Sequence, residues 1–158
     1  MLFRSDLVHV SGVTLQLASP AAREALRKRL AVLRSAGALV SLDTNYRPSG
    51  WSSPVEAARA MDAIAEVADI VFATFEDEAA MHRCRSMQEA ASRLTGLGVP
   101  ETVVKCGADG ALVVTAGRTA HVPATAIDRA VDTTAAGDAF AGGYLAARLH
   151  RESPVSSG

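Results

Sequence analysis

Short apolar runs, each followed by a capped helical pattern, constrain the fold of this chain most. Residues 7–10 read as the end of a strand that runs into Ser11-Gly12. Ser19-Pro20 then starts a helix, with serine as N-cap and proline at the first helical position. Ala22, Leu26, Leu30 and Leu33 recur at helical spacing, and Glu24 with Lys28 forms an i,i+4 pair on the polar face. Gly37 ends that helix, and residues 38–42 fit a buried strand. Past a loop over 43–51, Ser53-Pro54-Val55-Glu56 opens a second helix with a capping box and an N1 proline. Its apolar stripe is Met61, Ile64, Ala65 and Ala68. Residues 69–73 read as a strand, 76–81 and 87–97 as shorter helices, and Gly98-Val99-Pro100 as a turn. Residues 102–105 and 111–115 pair across the turn Ala108-Asp109-Gly110, 119–122 supply a further strand, and 137–149 a last helix. Strand–helix alternation followed by a hairpin predicts an α/β fold, mostly parallel with an antiparallel edge.

Composition narrows the function. The 158 residues carry 16 basic and 17 acidic side chains, a net charge of −1, so no strong electrostatic case exists for nucleic acid or an anionic membrane. No apolar run approaches membrane-spanning length, and the N-terminus lacks a signal-peptide pattern, so a cytoplasmic protein is expected. Cys84 and Cys106 form no CxxC pair and read as small hydrophobes of a reducing compartment. His9, His82, His121 and His150 show no ligand spacing, and there is no GxxxxGK[ST], HExxH or GxSxG motif. Ser153-Pro154 repeats the helix-start pattern four residues before the last residue, and the first residues fall inside a strand. Both ends therefore read as cuts through a larger fold.

The most specific segment is Asp132-Thr-Thr-Ala-Ala-Gly-Asp-Ala-Phe140. Ala135, Ala136 and Gly137 sit where a helix should begin. Small side chains admit close approach, and the free N–H groups of a first turn, helped by the helix dipole, suit phosphoryl oxygens. Asp138 falls in that first turn, where the dipole favours an ionised carboxylate. Such a carboxylate can take the proton of an attacking hydroxyl, worth roughly 10²–10⁴ in rate. Gly142-Gly143 inside the helix costs about 0.5–1 kcal/mol per glycine, which a close neighbour or a nucleotide would explain. An ordinary helix with an acidic first turn is the plain alternative.

This segment resembles the C-terminal signature D-T-[TV]-[GA]-A-G-D-x-F of the ribokinase-like (PfkB) carbohydrate kinases at all nine positions. The resemblance implies a three-layer α/β/α sandwich, truncated at both ends, with Asp138 as catalytic base and Ala135, Ala136 and Gly137 as the anion hole for the γ-phosphoryl group. It further implies ATP and Mg²⁺, and a K⁺ site to which Asp132 and Thr134 belong. Asp43-x-Asn45-x-Arg47-Pro48-x-x-Trp51 resembles a stretch of the 2-keto-3-deoxygluconate kinases of that family, and fructokinases carry a similar D-x-N-x-R. By that likeness Arg47 contacts a sugar carboxylate, and Asn45 the ATP phosphates or the substrate. Without it, the segment reads as a solvated turn anchored by Trp51. Val104-Lys105-Cys106-Gly107-Ala108-Asp109-Gly110 resembles the family's V-K-x-G-x-x-G, which assigns Lys105, Gly107 and Gly110 to the nucleotide. A plain hairpin with a lysine at its edge is the alternative. Glu78 falls at the glutamate of the family's N-x-x-E, which organises Mg²⁺ through water, although Phe75 occupies the asparagine position.

The resemblance runs over about residues 8–144 and covers the C-terminal half of such a kinase. It implies phosphoryl transfer to a small sugar or sugar acid. A truncated chain that only binds nucleotide or a partner, and a hexose kinase, are the competing readings. Missing strands would leave open sheet edges, which suits a homo-oligomer or a complementary chain.

Overall fold

The computed structural model describes residues 5–125 and 135–152, and the chain divides into two compact units, 1–125 and 126–158. In the first unit the order is β1 (Leu7–Ser11), α1 (Gly12–Leu17), α2 (Pro20–Ser35), β2 (Leu39–Asp43), α3 (Pro54–Ala65), β3 (Ile70–Thr74), α4 (Phe75–His82), α5 (Met87–Gly96), β4 (Glu101–Lys105), β5 (Ala111–Thr115) and β6 (Arg118–Val122). The six strands form one sheet in sequence order. β1 to β4 are parallel, and β5 and β6 are antiparallel. The second unit contributes α6 (Ala136–Glu152).

The expected helix starts form as the sequence dictates. The Ser19 hydroxyl accepts from the Ala22 amide at 3.3 Å, and the Ser53 and Ser86 hydroxyls accept from the Glu56 and Glu89 amides at 3.1 Å each. The return half of the capping box is displaced by one residue: Glu56 accepts from the Ser52 amide at 3.1 Å instead of from Ser53. On α2, Arg27 grips Glu24 through two bonds of 2.8 and 2.9 Å, while Lys28 stands off at 3.6 Å. The planar guanidinium matches a carboxylate with two parallel donors, which an ammonium cannot do.

Two elements differ from the sequence expectation. Residues 12–17 form a short helix, started by the Ser11 hydroxyl on the Val13 amide at 3.3 Å. β3 begins at Ile70 because Asp69 is used otherwise: its carboxylate accepts from the Val40 amide at 2.9 Å and from Arg34 at 2.8 Å. One acid thus seals the start of β2 and ties α2 to the sheet.

β1 to β4 advance in one direction, so right-handed crossovers place α1 to α5 on one face. The core lies there, with Val10, Val40, Leu42, Val71, Ala73 and Val104 of the strands against Leu15, Leu30, Met61, Ile64 and Leu94 of the helices. Each such fully buried side chain contributes about 1.5–3 kcal/mol. The alternate residues, among them Ser41, Asp43, Phe72 and Lys105, stand on the opposite face.

Gly12 couples this layer to the loop after β2. A Cβ built there would lie 1.9 Å from the Thr44 carbonyl oxygen and 2.7 Å from Met61 Cε. Backbone cannot yield as a side-chain tip can. Gly12→Ala is therefore expected to destabilise the chain by about 1–3 kcal/mol or more, read from the urea midpoint. An unchanged midpoint would show that the loop does not rest on Gly12.

Candidate active site

β2, β3 and β4 finish on one edge of the sheet, the carboxyl edge where α/β folds receive ligands. Asp43 ends β2, and its side chain is only 4% exposed. Its Oδ2 holds the Lys105 ammonium, at the end of β4, at 3.0 Å. Its Oδ1 accepts from the Asn45 amide at 3.2 Å, an Asx turn. Asn45 takes φ +33°, a left-handed conformation that asparagine tolerates better than most residues.

The loop continues with a second acid beneath it. Asp77, in the first turn of α4, accepts from the Tyr46 amide at 3.1 Å. Burial pushes its carboxyl upward, opposed by the Tyr46 amide, the Thr74 hydroxyl and the Arg47 charge. Tyr46 is buried and Arg47 is exposed, so the chain inserts one side chain and offers the next to solvent. The loop ends at buried Trp51, whose ring lies 4.5 Å beneath the Arg23 guanidinium, a cation–π contact. Arg23 is itself fixed, donating to the Leu15 carbonyl and to Glu56 at 2.7 Å each. The Ser52 hydroxyl, with Arg23 beside it, holds Glu56 down at about 2. The loop bearing Arg47 is thus anchored at Asp43, Asp77 and Arg23.

The turn after β4 is equally constrained. The Cys106 amide donates to the Gly110 carbonyl at 2.8 Å, and His121 Nε2 donates to the Asp109 carbonyl at 2.8 Å. Gly107 and Gly110 have φ of +48° and +85°. A Cβ on Gly110 would lie 2.1 Å from the Val122 carbonyl oxygen. Lys105 is thereby presented beside a glycine turn of fixed shape.

Glu78 sits one residue beyond Asp77, and its surroundings differ. Its side chain is fully buried, and Oε2 takes two bonds from Arg93, of 2.9 Å from Nε and 2.8 Å from a terminal nitrogen. Arg93 also donates to Asp62 at 2.8 Å, and His82 Nε2 stands 3.6 Å from the same carboxylate. Burial pushes Glu78 upward against the Arg93 charge. Burial, and then Arg93, push the His82 imidazole downward, against the pull of the Asp62 carboxylate. The cluster joins α3, α4 and α5. Glu78 Oε1 is buried without a hydrogen-bond partner.

In the second unit, Ala135 has φ +60°, and the Ala139 amide donates to its carbonyl at 2.9 Å as α6 begins. Gly137 and Asp138 fall in the first turn, with Asp138 exposed. An added Cβ at Gly142 or Gly143 would meet no atom of the described residues within 4 Å. Asp132 and Thr134 lie outside the described residues.

The first unit therefore gathers Asn45, Arg47 and Lys105 on one edge, with Asp43 and Asp77 as their supports. Neither acid carried a role in the sequence reading. Asp43 stood as the first position of the Asp43-x-Asn45-x-Arg47 motif with no function attached to it, and Asp77 inside an acidic run in which any member could have faced the loop.

A magnesium ion that arrives with nucleotide phosphates needs only one or two protein carboxylates. No three His, Cys, Asp or Glu side chains among the described residues are placed to hold a metal by themselves. Glu78 retains an unpartnered oxygen. The described side chains thus form no protein cage for a metal, and the unpartnered oxygen of Glu78 is buried in the α3–α4–α5 cluster instead of standing open to water at the carboxyl edge. No helix among the described residues is long and apolar enough to cross a membrane.

A six-stranded, mostly parallel sheet with its β2 and β4 loops gathered at the carboxyl edge defines an α/β fold class. Within it, residues 1–158 match the model of the pfkB family carbohydrate kinases, and the chain belongs to that family. It is 41% identical over 147 residues to the 2-dehydro-3-deoxygluconokinase of Escherichia coli K12, covering 91% of this chain and 48% of that protein. It superposes with TM-score 0.78 and 34% identity on aminoimidazole riboside kinase from Salmonella enterica, solved with aminoimidazole riboside and an ATP analog, covering 90% of this chain and 47% of that one. A fructokinase double mutant from Vibrio cholerae, in fructose-, ADP- and potassium-bound form, matches with TM-score 0.78 and 30% identity over 92% of this chain and 46% of that one. The chain spans about half the length of the relatives it matches.

The Arg93–Glu78 pair makes a stability prediction. Arg93→Met leaves a buried carboxylate without its cation and is expected to cost about 3–5 kcal/mol, while adding Glu78→Gln returns most of the loss. Urea denaturation measures both, and a single variant as stable as the parent would deny the pair that role.

Proposed function

We propose that this chain transfers the γ-phosphoryl group of ATP to a hydroxyl of 2-dehydro-3-deoxygluconate, another name for 2-keto-3-deoxygluconate. The observation that carries the reading is Arg47, an exposed guanidinium on a loop anchored on both sides of it. A guanidinium so presented can take a carboxylate through two parallel bonds. The likeness to 2-dehydro-3-deoxygluconokinases over most of the chain supports an acid sugar as the partner.

In this mechanism Arg47 orients the acid sugar by its carboxylate. Asp138 accepts the proton of the attacking hydroxyl. The hydroxyl oxygen forms a bond to the γ-phosphorus as the bond from that phosphorus to the β–γ bridging oxygen breaks. The backbone amides at Ala135, Ala136 and Gly137 receive the charge on the transferring group, helped by the α6 dipole. Lys105 meets the phosphates, Gly107 and Gly110 shape the nucleotide turn, and Asn45 bonds the ATP phosphates or the substrate. When bound with the nucleotide, magnesium would supply charge neutralisation at the phosphates; Glu78, which the resemblance names for it, is buried on Arg93 and would reach it through water only by opening that pair. Asp132 and Thr134 help to hold a potassium ion beside the anion hole. A donor of this kind suits a cytoplasmic setting.

The test is ATP-dependent phosphorylation of 2-dehydro-3-deoxygluconate by the purified chain, with fructose alongside. Asp138→Asn is expected to lower turnover by about 10²-fold or more while nucleotide still binds. Unchanged turnover would remove Asp138 as base. Arg47→Ala is expected to weaken use of the acid sugar by about tenfold and leave the neutral sugar nearly unaffected. Equal loss on both would remove the acid-sugar assignment.

A further inference from the structure

Lys105 and Arg47 lie 58 residues apart in sequence and serve, on the reading above, different substrates. One carboxylate joins them. Asp43 Oδ2 holds Lys105 Nζ at 3.0 Å, and Asp43 Oδ1 holds the Asn45 amide at 3.2 Å. The Asp43 side chain is 4% exposed and that of Lys105 16%. A carboxylate buried so far needs a cation, and when the cation goes its hydrogen bonds reorganise. The strand beneath is rigid: Asp43 pairs with Phe72 of β3 in the parallel ladder, and Thr74 with Lys105. The Asn45 amide is held in an uncommon backbone conformation, φ +33°, with the Asp43 carboxylate as its partner.

We propose that Asp43 is a positioning residue that couples the nucleotide side of the site to the sugar side, setting the Asn45 turn according to what Lys105 holds. This rests on Lys105 as a nucleotide contact. A phosphate that draws the ammonium away changes the field on Asp43 Oδ2. The same carboxylate then changes its grip on the Asn45 amide, two residues before Arg47. Nucleotide occupancy is in this way reported to the residue that would read the sugar acid.

The experiment uses the ¹⁵N-labelled chain and three variants: Lys105→Met, Asp43→Asn and the double variant. Hydrogen exchange of the Asn45 amide is measured first without ligand. Each single substitution is expected to speed that exchange by about tenfold, and the double variant by no more than either, because both act through one pair. An Asn45 amide at the parent rate in Lys105→Met overturns the proposal, and so do additive effects. Lys105→Met keeps the test decisive should Asp43→Asn fail to fold. MgADP is then titrated. Its binding is expected to move the Asn45 amide resonance in the parent and not in Asp43→Asn. A perturbation confined to residues 105–110 in both overturns the coupling. A parent chain that does not bind MgADP removes the nucleotide assignment of Lys105, and the exchange data still decide whether Asp43 joins the two segments.

Discussion

A carboxylate that is almost wholly out of water must be given a cation, and the carboxyl edge of this sheet is arranged around that requirement at Asp43. The cation comes from β4, across the end of β3. Bringing Lys105 to that place requires the strands to hold their parallel register, and holding the register requires the layer of five helices on the far face. The loop that begins at Asp43 inherits its first bond from the same side chain. Gly12, pressed beneath Thr44, keeps the next residue of the loop down on the helix layer. Sheet, helix layer and loop therefore share one anchor point.

The second buried acid follows the same physics to a different end. Glu78 has its cation in Arg93, reached from α5, and Arg93 is shared with Asp62 of α3. Asp77, its neighbour in sequence, has an amide as partner and faces the loop. Successive helical residues project about 100° apart, so one acid of the run points to the helix cluster and the other to the ligand edge. Burial pushes both carboxyls upward, yet only Asp77 has Arg47 among the charges that favour its ionised form.

Most of the fold was legible in the sequence, because its signals are local. Serine caps, N1 prolines and period-2 runs fix helices and strands within a few residues of themselves. α1 was missed because its six residues behind Ser11 carry no N1 proline, no acidic first turn and no i,i+4 charge pair. The boundary at Asp69 was missed because its carboxylate is engaged 29 residues away, at Val40. The motif segments near Asn45, Arg47, Lys105 and the two glycines were legible, and the structure brings their first-unit members to one edge. The supports were not. The Asp43–Lys105 bond spans 62 positions, and no spacing rule connects such residues. The choice between Asp77 and Glu78 depends on helix rotation, which a run of three acids leaves open.

Trp51 closes the loop that carries Arg47, and the chain has one tryptophan. Its indole is buried and covered by the Arg23 guanidinium, whose other donors are engaged at Leu15 and Glu56. A positive charge over an indole face shifts its excited state, and light absorbed at the red edge of the spectrum excites this indole and not the two tyrosines. The loop therefore carries its own optical reporter. Any rearrangement that slides Trp51 from beneath Arg23 is visible as a change in colour and intensity of the protein's emission, with no label attached and no second indole to confuse it.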